Sequence, residues 1–143
     1  MSNKDLNNLT KLGRQAGPSK EMEAVANPAP DRFYLIKMET SEFTCLCPVT
    51  GQPDFADIEV YYIPDQTIVE SKSFKLYLWS YRNEGIFHEA VVNKIMDDLV
   101  KLLDPHWIKV VGHFNVRGGI GFSIEATHTK TEAAKSALEN QLI

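Results

Sequence analysis

Residues 87–105 read FHEAVVNKIMDDLVKLLDP, and the architecture of the chain follows from this segment. Large apolar side chains recur in it every four residues or close to that, at Phe87, Val91, Val92, Ile95, Met96, Leu99, Val100 and Leu103. This spacing is typical of an amphipathic helix that packs one broad face against a core. Asp104-Pro105 ends the pattern, because proline lacks the N–H that a helix interior requires. The segment therefore predicts a helix over residues 87–103.

Strand-like and helical patterns flank this helix on both sides. Apolar residues alternate over 108–116 and 120–126, joined at Arg117-Gly118-Gly119, which predicts a hairpin. Upstream, a shorter helix is predicted over 71–82 and two strands over 33–36 and 58–63. The order strand-strand-helix-helix-strand-strand indicates an α+β fold, an antiparallel four-stranded sheet with two helices on one face. Its uncovered edges favour association between copies of the chain.

Length and composition indicate one domain with polar extensions. The chain has 143 residues, 43% of them hydrophobic and 24% charged. Residues 1–30 contain few large apolar side chains and predict a flexible arm, 31–126 form the predicted domain, and 127–143 a tail that is partly helical in pattern.

Charge and cysteine usage exclude several classes of function. A net charge of −4 gives no general attraction to nucleic acid or to anionic membranes. No apolar run of transmembrane length or signal sequence is present, and the two cysteines, separated by one residue, make no disulfide framework. We therefore expect a cytoplasmic protein. No metal is expected, because Cys45, Cys47 and the four histidines follow no ligand spacing.

The segment FTCLCPVTGQPDF, residues 43–55, offers a candidate nucleophile. Proline and glycine around Cys47 predict a fixed loop, where a reactive side chain can be held. Only the thiolate attacks, so the proton must be removed, and Asp54 is the nearest candidate base. The alternative is that Cys47 is a buried small hydrophobe, the usual state of an isolated cysteine.

Two polar residues at the start of the long helix are candidates for binding and proton transfer. On a helical wheel Glu89 lies at the margin of the apolar face, so its carboxylate is expected to be half shielded and to cap the helix, pair with a cation or bind a ligand. His88 falls within the apolar stripe, where a hydrogen-bonded core histidine is the common case, although proton transfer is also open to it. Both interpretations stay open for each residue.

A row of cations follows one side of the shorter helix, at Lys72, Lys75 and Arg82. Such a row either binds phosphates or is simply solvated. Gly118-Gly119 does not begin a phosphate loop, and no strand-turn-helix unit carries a Rossmann glycine pattern. Any dinucleotide must therefore bind by another route.

These residues together resemble a known family, the NADPH-dependent nitrile reductases of queuosine biosynthesis in their short single-domain form. The resemblance covers roughly residues 32–125 and rests on four blocks: LCPVTGQPDF at 46–55, ESKSFKLY at 70–77, FHE at 87–89 and RGGI at 117–120. It implies the tunnelling fold, in which sheets from several subunits form barrels with active sites at subunit interfaces. It also implies that NADPH reduces the nitrile of 7-cyano-7-deazaguanine to an amine.

The resemblance further implies roles for individual residues. Cys47 would attack the nitrile carbon to give a thioimide, Asp54 would move the proton, and His88 would donate a proton in a later step. Substrate contacts are expected from Glu89, Glu70 and Ser71, and cofactor contacts from Lys72, Ser73, Lys75, Arg117 and Gly118. Two alternatives remain at this point: an amidinotransferase-like enzyme of the same fold that uses the same Cys and Asp without NADPH, and a non-catalytic oligomeric module that binds a purine.

Overall fold

The structure, a computed structural model, describes residues 6–10 and 16–141. Its strands are β1 (Ala24–Ala26), β2 (Ile36–Leu46), β3 (Pro53–Ile63), β4 (Thr67–Val69), β5 (Trp107–Arg117) and β6 (Ile120–Thr129). Its helices are α1 (Ser71–Trp79), α2 (His88–Leu103) and α3 (Glu132–Ala137), followed by a 3-10 turn at Glu139–Gln141. The parts of the predicted arm at 1–5 and 11–15, and residues 142–143 of the predicted tail, lie outside the described residues.

Four long strands form an antiparallel sheet in the order β2-β3-β5-β6, and β1 pairs with β4 beside it. One face of the sheet is buried beneath the helices, with Ile58, Val60 and Tyr62 of β3 and Val110 of β5 all at most 1% exposed. The predicted α+β arrangement of four antiparallel strands and two helices is confirmed. The core therefore lies between the sheet and the helix layer.

Helix α2 presents the predicted apolar face to this core. The side chains that face inward are Val91, Val92, Ile95, Met96, Leu99 and Leu103. Phe87 departs from the prediction: it has an extended backbone as the N-cap and is 58% exposed, so the helix begins one residue later at His88. Asp104 adopts a left-handed conformation that ends the helix.

The first two strands are longer than the sequence pattern predicted, and the first was misplaced. Phe33 is exposed and precedes β2, which runs instead over Ile36–Leu46. Strand β3 starts at Pro53 rather than 58, because Asp54 occupies the buried face and interrupts the apolar alternation that marks a strand. The predicted catalytic loop is consequently shortened to residues 47–52.

The segments outside the central domain are partly packed against it. Within the predicted flexible arm, Ala24–Ala26 pairs with β4 and Val25 is buried, which corrects the arm prediction for these residues. At the other end, β6 extends to Thr129 and Ala134 of α3 packs on Ile63 and Trp107. Helix α1 ends at Trp79, three residues before the predicted limit. The predicted boundaries of the three segments stay a prediction.

Candidate active site

A tight loop between β2 and β3 carries Cys47. The Cys47 N–H donates to the Gln52 carbonyl at 2.9 Å, and the Gly51 N–H donates to the Cys47 carbonyl at 2.9 Å. Gly51 has a φ of 71°, a left-handed conformation that other residues adopt at a cost. Leu46 exchanges backbone hydrogen bonds with Glu84 and Ile86, which ties the loop to the segment just before α2. Cys47 is therefore held in a fixed loop.

The loop itself activates the thiol. Hydrogen bonds from the side chain and backbone of Thr50 and from the backbone of Val49 lower the pKa of Cys47 from about 9 to about 7, and the charge of Arg117 acts in the same direction. Near neutral pH a large fraction of Cys47 is then thiolate, the reactive form. Asp54 is not among the groups that lower this pKa. Cys45 is the opposite case, because burial raises its pKa to about 11.

Asp54 lies on β3 with its side chain on the helix-covered face, and it is only 4% exposed. A buried carboxylate is costly unless it is paired. Here the two oxygens have different partners: Arg117 Nη1 donates to Oδ1 at 2.5 Å, and His88 Nε2 lies 3.2 Å from Oδ2. The carboxylate is thus oriented from two sides.

His88 is the first residue of α2 and is fixed by aromatic rings. Its imidazole stacks on Phe114 with 3.9 Å between ring centroids, and the edge of Phe122 packs on it at 5.4 Å. The side chain keeps 15% of its surface exposed, so it bridges the buried Asp54 and the outside. This geometry suits a group that passes a proton.

Glu89 is exposed, which corrects the expectation that it would be half shielded. The helical wheel gives the angle of a side chain but not how far its surroundings cover it: His88 packs on Phe114 and Phe122 of the sheet, whereas the adjacent Glu89 is exposed. It stands next to His88 on the outer surface. Its predicted contact with a substrate stays a prediction.

The ESKSF segment at 70–74 builds the start of α1. Both carboxylate oxygens of Glu70 accept backbone N–H groups, from Lys72 at 2.8 Å and Ser73 at 2.7 Å. Ser73 is fully buried, and its hydroxyl accepts the Glu23 N–H and donates to the Glu70 carbonyl. In this chain Glu70 caps the helix and Ser73 anchors its first turn; the predicted contacts of Glu70 with substrate and of Ser73 with cofactor stay predictions.

A cleft of about 1030 Å³ lies between α1 and the outer strand β2. Of the residues predicted to bind substrate or cofactor, Ser71 and Lys75 line it. Three cationic side chains line the cleft, Lys37, Lys75 and Arg82. The aromatic rings of Phe55 and Trp79 line it as well. Leu46 and Pro53, at the two ends of the Cys47 loop, line it as well, so the cleft reaches the reactive loop.

The site contains features that the sequence did not reveal. Thr50 was not singled out, although a hydroxyl three residues after a cysteine in a loop is a recognisable signal. The ion pair of Arg117 with Asp54 was not foreseen, and the predicted contact of Arg117 with a cofactor stays a prediction. Gly118 lies in the adjoining turn with a φ of 58°. Phe114 was predicted as a strand residue, and its stacking on His88 has no local sequence signal.

Two further findings concern groups of residues. The described residues bring together no set of three or more His, Cys, Asp and Glu side chains suited to a metal ion. None of the helices in that same part of the chain combines the length and apolar character that crossing a bilayer requires.

Comparison with solved structures concerns the fold. The crystal structure of the archaeosine synthase QueF-Like in the apo form superimposes with a TM-score of 0.63 at 23% sequence identity, covering 68% of this chain and 95% of that one. This likeness shows that the single chain has the predicted tunnelling fold, while its assembly into barrels of several subunits stays a prediction.

Comparison with sequences gives the family. Residues 53–133 match the model of the QueF-like proteins. The chain is 60% identical over 126 residues to the NADPH-dependent 7-cyano-7-deazaguanine reductase of Syntrophus aciditrophicus (strain SB), covering 88% of this chain and 90% of that protein. It is 54% identical to the reductase of the same name from Thermomicrobium roseum, covering 85% and 94%. The chain belongs to the QueF-like family, and the resemblance inferred from its motifs is confirmed.

Proposed function

We propose that this chain reduces the nitrile of 7-cyano-7-deazaguanine to the primary amine with NADPH, a step in queuosine biosynthesis. Family membership and the names of its relatives support the reaction. Two observations support the mechanism: the pKa of the Cys47 thiol is lowered to about 7, and the buried Asp54 contacts His88 at 3.2 Å.

The first step is attack of the Cys47 thiolate on the nitrile carbon. A C–S bond forms, one π pair of the nitrile moves to nitrogen, and that nitrogen takes a proton, which gives a thioimide. Asp54 first accepts the thiol proton and then returns it to the nitrogen. The proton that Asp54 delivers to the nitrogen is therefore the one that it takes from the thiol.

The remaining steps need four electrons and further protons. NADPH supplies hydride when bound, and two equivalents with two protons convert R–C≡N into R–CH₂NH₂. Within the chain, Cys47 leaves as thiolate once the carbon it holds has been reduced, which its low pKa favours because a stable thiolate is a good leaving group. His88 supplies a proton from the exposed side of Asp54, as its stacked position between Phe114 and solvent allows.

The size of the cleft beside α1 and its three cations support a cofactor site there, and the lining also includes Glu39 and Glu42. A volume of about 1030 Å³ suits a dinucleotide. Lys75, Lys37 and Arg82 would face phosphates, and the rings of Phe55 and Trp79 offer planar surfaces for stacking. Lys72 is adjacent on α1 and remains a candidate for a phosphate contact, while Arg117 and Gly118 lie at the Asp54 side of the site.

Recognition of the deazaguanine and assembly are linked. Glu89 would accept hydrogen bonds from the ring N–H and the exocyclic amino group, a two-point contact that rejects bases without these donors. Since Glu89 is exposed in one chain, the pocket is completed by a second copy, as in a homo-oligomer with active sites at subunit interfaces. The exposed Phe55, Phe87 and Ile120 around the site support this assembly.

Two free cysteines fit a reducing cytoplasm.

The test has two readouts on the same protein. We expect loss of NADPH absorbance when the nitrile is added, and an adduct with the mass of the nitrile in intact-protein spectrometry before NADPH is supplied. Cys47→Ala should abolish both signals, and the matched variant Cys45→Ala should keep both. An adduct that forms without NADPH consumption, and that reacts on when ammonia or an amine is offered instead of NADPH, would favour the transferase. Adduct formation by Cys47→Ala would exclude the mechanism.

A further inference from the structure

Helix α1 borders the cleft with one face and turns another face to the interior. Ser71, Lys75 and Leu78 stand three or four positions apart, as residues on one side of a helix do, and all three line the cleft. Tyr77 lies on a different face and is fully buried. Because the cleft lies between α1 and β2, the distance between these two elements depends on the contacts behind the helix.

A polar network of Tyr77, Tyr81 and Asp98 lies behind α1 and joins it to α2. The Tyr77 hydroxyl donates to Asp98 Oδ2 at 2.6 Å, and the Tyr81 and Tyr77 hydroxyls are 2.9 Å apart. A hydroxyl has one proton, so with that of Tyr77 committed to the carboxylate, Tyr81 is the donor of the second bond. Lys94 Nζ donates to Asp98 Oδ1 at 2.8 Å. Asp98 thus accepts with both oxygens and terminates the network.

Burial makes these hydrogen bonds costly to break. Tyr77 and Tyr81 are both fully buried. Burial also raises the pKa of each phenol, that of Tyr81 to about 12, so both keep their protons near neutral pH. A buried hydroxyl that loses its partner is not compensated by water, so a movement of α1 that separates Tyr77 from Asp98 is disfavoured.

The hydroxyl of Tyr77 supplies a constraint that its ring does not. The ring stacks on Phe74 and meets Tyr81 edge-on, with centroids 6.3 and 5.4 Å apart. A phenylalanine could make both contacts, and burial of apolar surface has no preferred direction. A hydrogen bond weakens steeply away from its preferred length and angle. The polar network therefore fixes where α1 stands, in addition to the packing that holds it on the core.

The segment before β1 holds the other end of the network from outside. Lys20 Nζ lies 3.4 Å from the centroid of the Tyr81 ring. The same ammonium group donates to Ser80 Oγ at 2.7 Å and pairs with Glu84 Oε2 at 2.7 Å. Ser80 directly follows α1, so the end of the helix is held by Lys20 and its middle by Asp98.

We propose that Asp98 is a positioning residue of the cofactor site: through the Tyr77 hydroxyl it sets the distance of α1 from β2, and with it the place of the cleft cation Lys75. This inference rests on the proposed function, which assigns the cleft to NADPH. Neither Asp98 nor Tyr77 lines the cleft, so their effect on the cofactor passes through the helix. Cys47 takes its hydrogen bonds from its own loop. The pH midpoint of Cys47 alkylation, which reports the thiolate, should therefore not move in variants of Asp98.

The experiment compares Tyr77→Phe, Asp98→Asn and Asp98→Ala with wild type. Tyr77→Phe keeps the ring and should raise KM for NADPH roughly tenfold, with kcat at saturating NADPH nearly unchanged. Asp98→Asn keeps an oxygen that can accept from Tyr77, so it should recover most of the affinity that Asp98→Ala loses. The matched control is Tyr34→Phe, which removes a hydroxyl that donates to Asn27 Oδ1 at 2.6 Å away from the cleft lining. It should lose some stability in urea and keep the wild-type KM.

A second readout needs neither NADPH nor the nitrile. Of the two tryptophans, Trp79 ends α1, lines the cleft and is 45% exposed, whereas Trp107 is 4% exposed. Acrylamide quenching of tryptophan fluorescence therefore reports the cleft side of α1, and it should increase in Tyr77→Phe and Asp98→Ala but not in Tyr34→Phe. If wild type reduces no nitrile while this difference appears, the proposed function fails and the placement of α1 by Asp98 stands. If Tyr77→Phe and Asp98→Ala lose stability but keep the wild-type KM for NADPH and the wild-type quenching, the network is purely structural and our inference is wrong.

Discussion

The two ends of the four-stranded sheet differ in how regularly their strands pair. At the end near residues 60–63, β3 and β5 pair without interruption from Val60↔Val110 to Ile63↔Trp107, and α3 seals the outer face over Ile63 and Trp107. At the other end, β2 carries a bulge between Thr40 and Phe43 and β5 one between Phe114 and Arg117. Regular pairing marks the stable end, and irregular pairing marks the site.

The difference shows where the chain departs from ideal packing. The regular end buries mainly apolar groups, apart from Lys109, which pairs with Glu125, whereas the site end buries the charge of Asp54 and exposes Phe87 and Phe122. A sequence that specifies a fold violates such local rules mainly at functional positions. Variants at the site end should therefore affect chemistry, and variants at the regular end should affect stability alone.

The largest effect is expected from Cys47→Ser at the site end. A serine hydroxyl in this loop would not ionise near neutral pH, so turnover should fall by on the order of 10⁴-fold or more, while folding changes little because Cys47 lies partly exposed in a loop. NADPH consumption under saturating nitrile measures the loss. Retention of substantial turnover would mean that the thiol is not the nucleophile.

Leu99→Ala probes the helix over the regular end and should give the largest loss of stability. Leu99 is completely buried on α2, and removal of its side chain leaves a cavity that typically costs about 2–5 kcal/mol of unfolding free energy. Urea denaturation measures this, with the exposed Lys101→Ala as control. The pH midpoint of Cys47 alkylation should not move; a shift would show that the two ends are not independent.

Gly112→Ala tests the boundary between the two ends. A Cβ at this position would lie 2.7 Å from Val92 Cγ2 and 2.9 Å from Phe114 Cε2, and the latter ring supports His88. We expect overpacking to cost about 1–3 kcal/mol of stability and, unlike Leu99→Ala, to reduce kcat as well. Urea denaturation and the reductase assay separate the two losses. A stability loss without any change in kcat would mean that Phe114 does not position His88.

The sequence predicted the regular end and the helices better than it predicted the site. Helix α2 follows from periodicity because its apolar face packs on the core. The hairpin of β5 and β6 follows from alternation and its two turn glycines, although a bulge interrupts β5 and Ile120 and Phe122 are exposed. Strand β2 and the start of β3 were missed, since a bulge shifts the alternation and Asp54 occupies a core position. The pairing of Ala24–Ala26 with β4 is a contact between residues about forty positions apart, which local patterns do not encode.

The chemistry of the site was predicted in part for the same reason. The candidate residues Cys47, Asp54 and His88 follow from residue type and motif, and the structure brings Asp54 and His88 within 3.2 Å. The direction of Arg117 depends on one extra residue in a strand, which shows only in the pairing register. The exposure of Glu89 depends on what lies above the first turn of α2, a property of the assembled layers rather than of the helix.

Thr50→Val should have a moderate effect confined to the site end. The Thr50 hydroxyl is the largest cause of the lowered pKa of Cys47, so without it the pKa should rise from about 7 toward about 9. At neutral pH the thiolate fraction, and with it the rate of alkylation, should fall by roughly three- to tenfold. Iodoacetamide kinetics against pH measure this, with Thr127→Val on the exposed strand β6 as control. An unchanged midpoint would assign the activation to the backbone amides alone.

Lys130→Met should have the smallest effect, confined to the regular end. Lys130 Nζ bonds Asp65 Oδ2 at 2.7 Å and Asp104 Oδ2 at 3.0 Å just before α3, and the first of these contacts is the main cause that lowers the pKa of Asp65. Because these groups are partly exposed, we expect a loss of less than about 1 kcal/mol at neutral pH.

The pH dependence of this loss has a definite sign. A carboxylate whose pKa is lower in the folded state stabilises the fold at pH values above its unfolded pKa of about 3.9. That contribution disappears as the pH falls through the folded pKa. Urea unfolding of wild type and Lys130→Met should therefore differ at neutral pH and converge in acid, below about pH 4. A difference that persists undiminished in acid would show that Lys130 acts through its aliphatic stem and the Asp104 carbonyl, which it reaches at 2.7 Å, and not through the charge of Asp65.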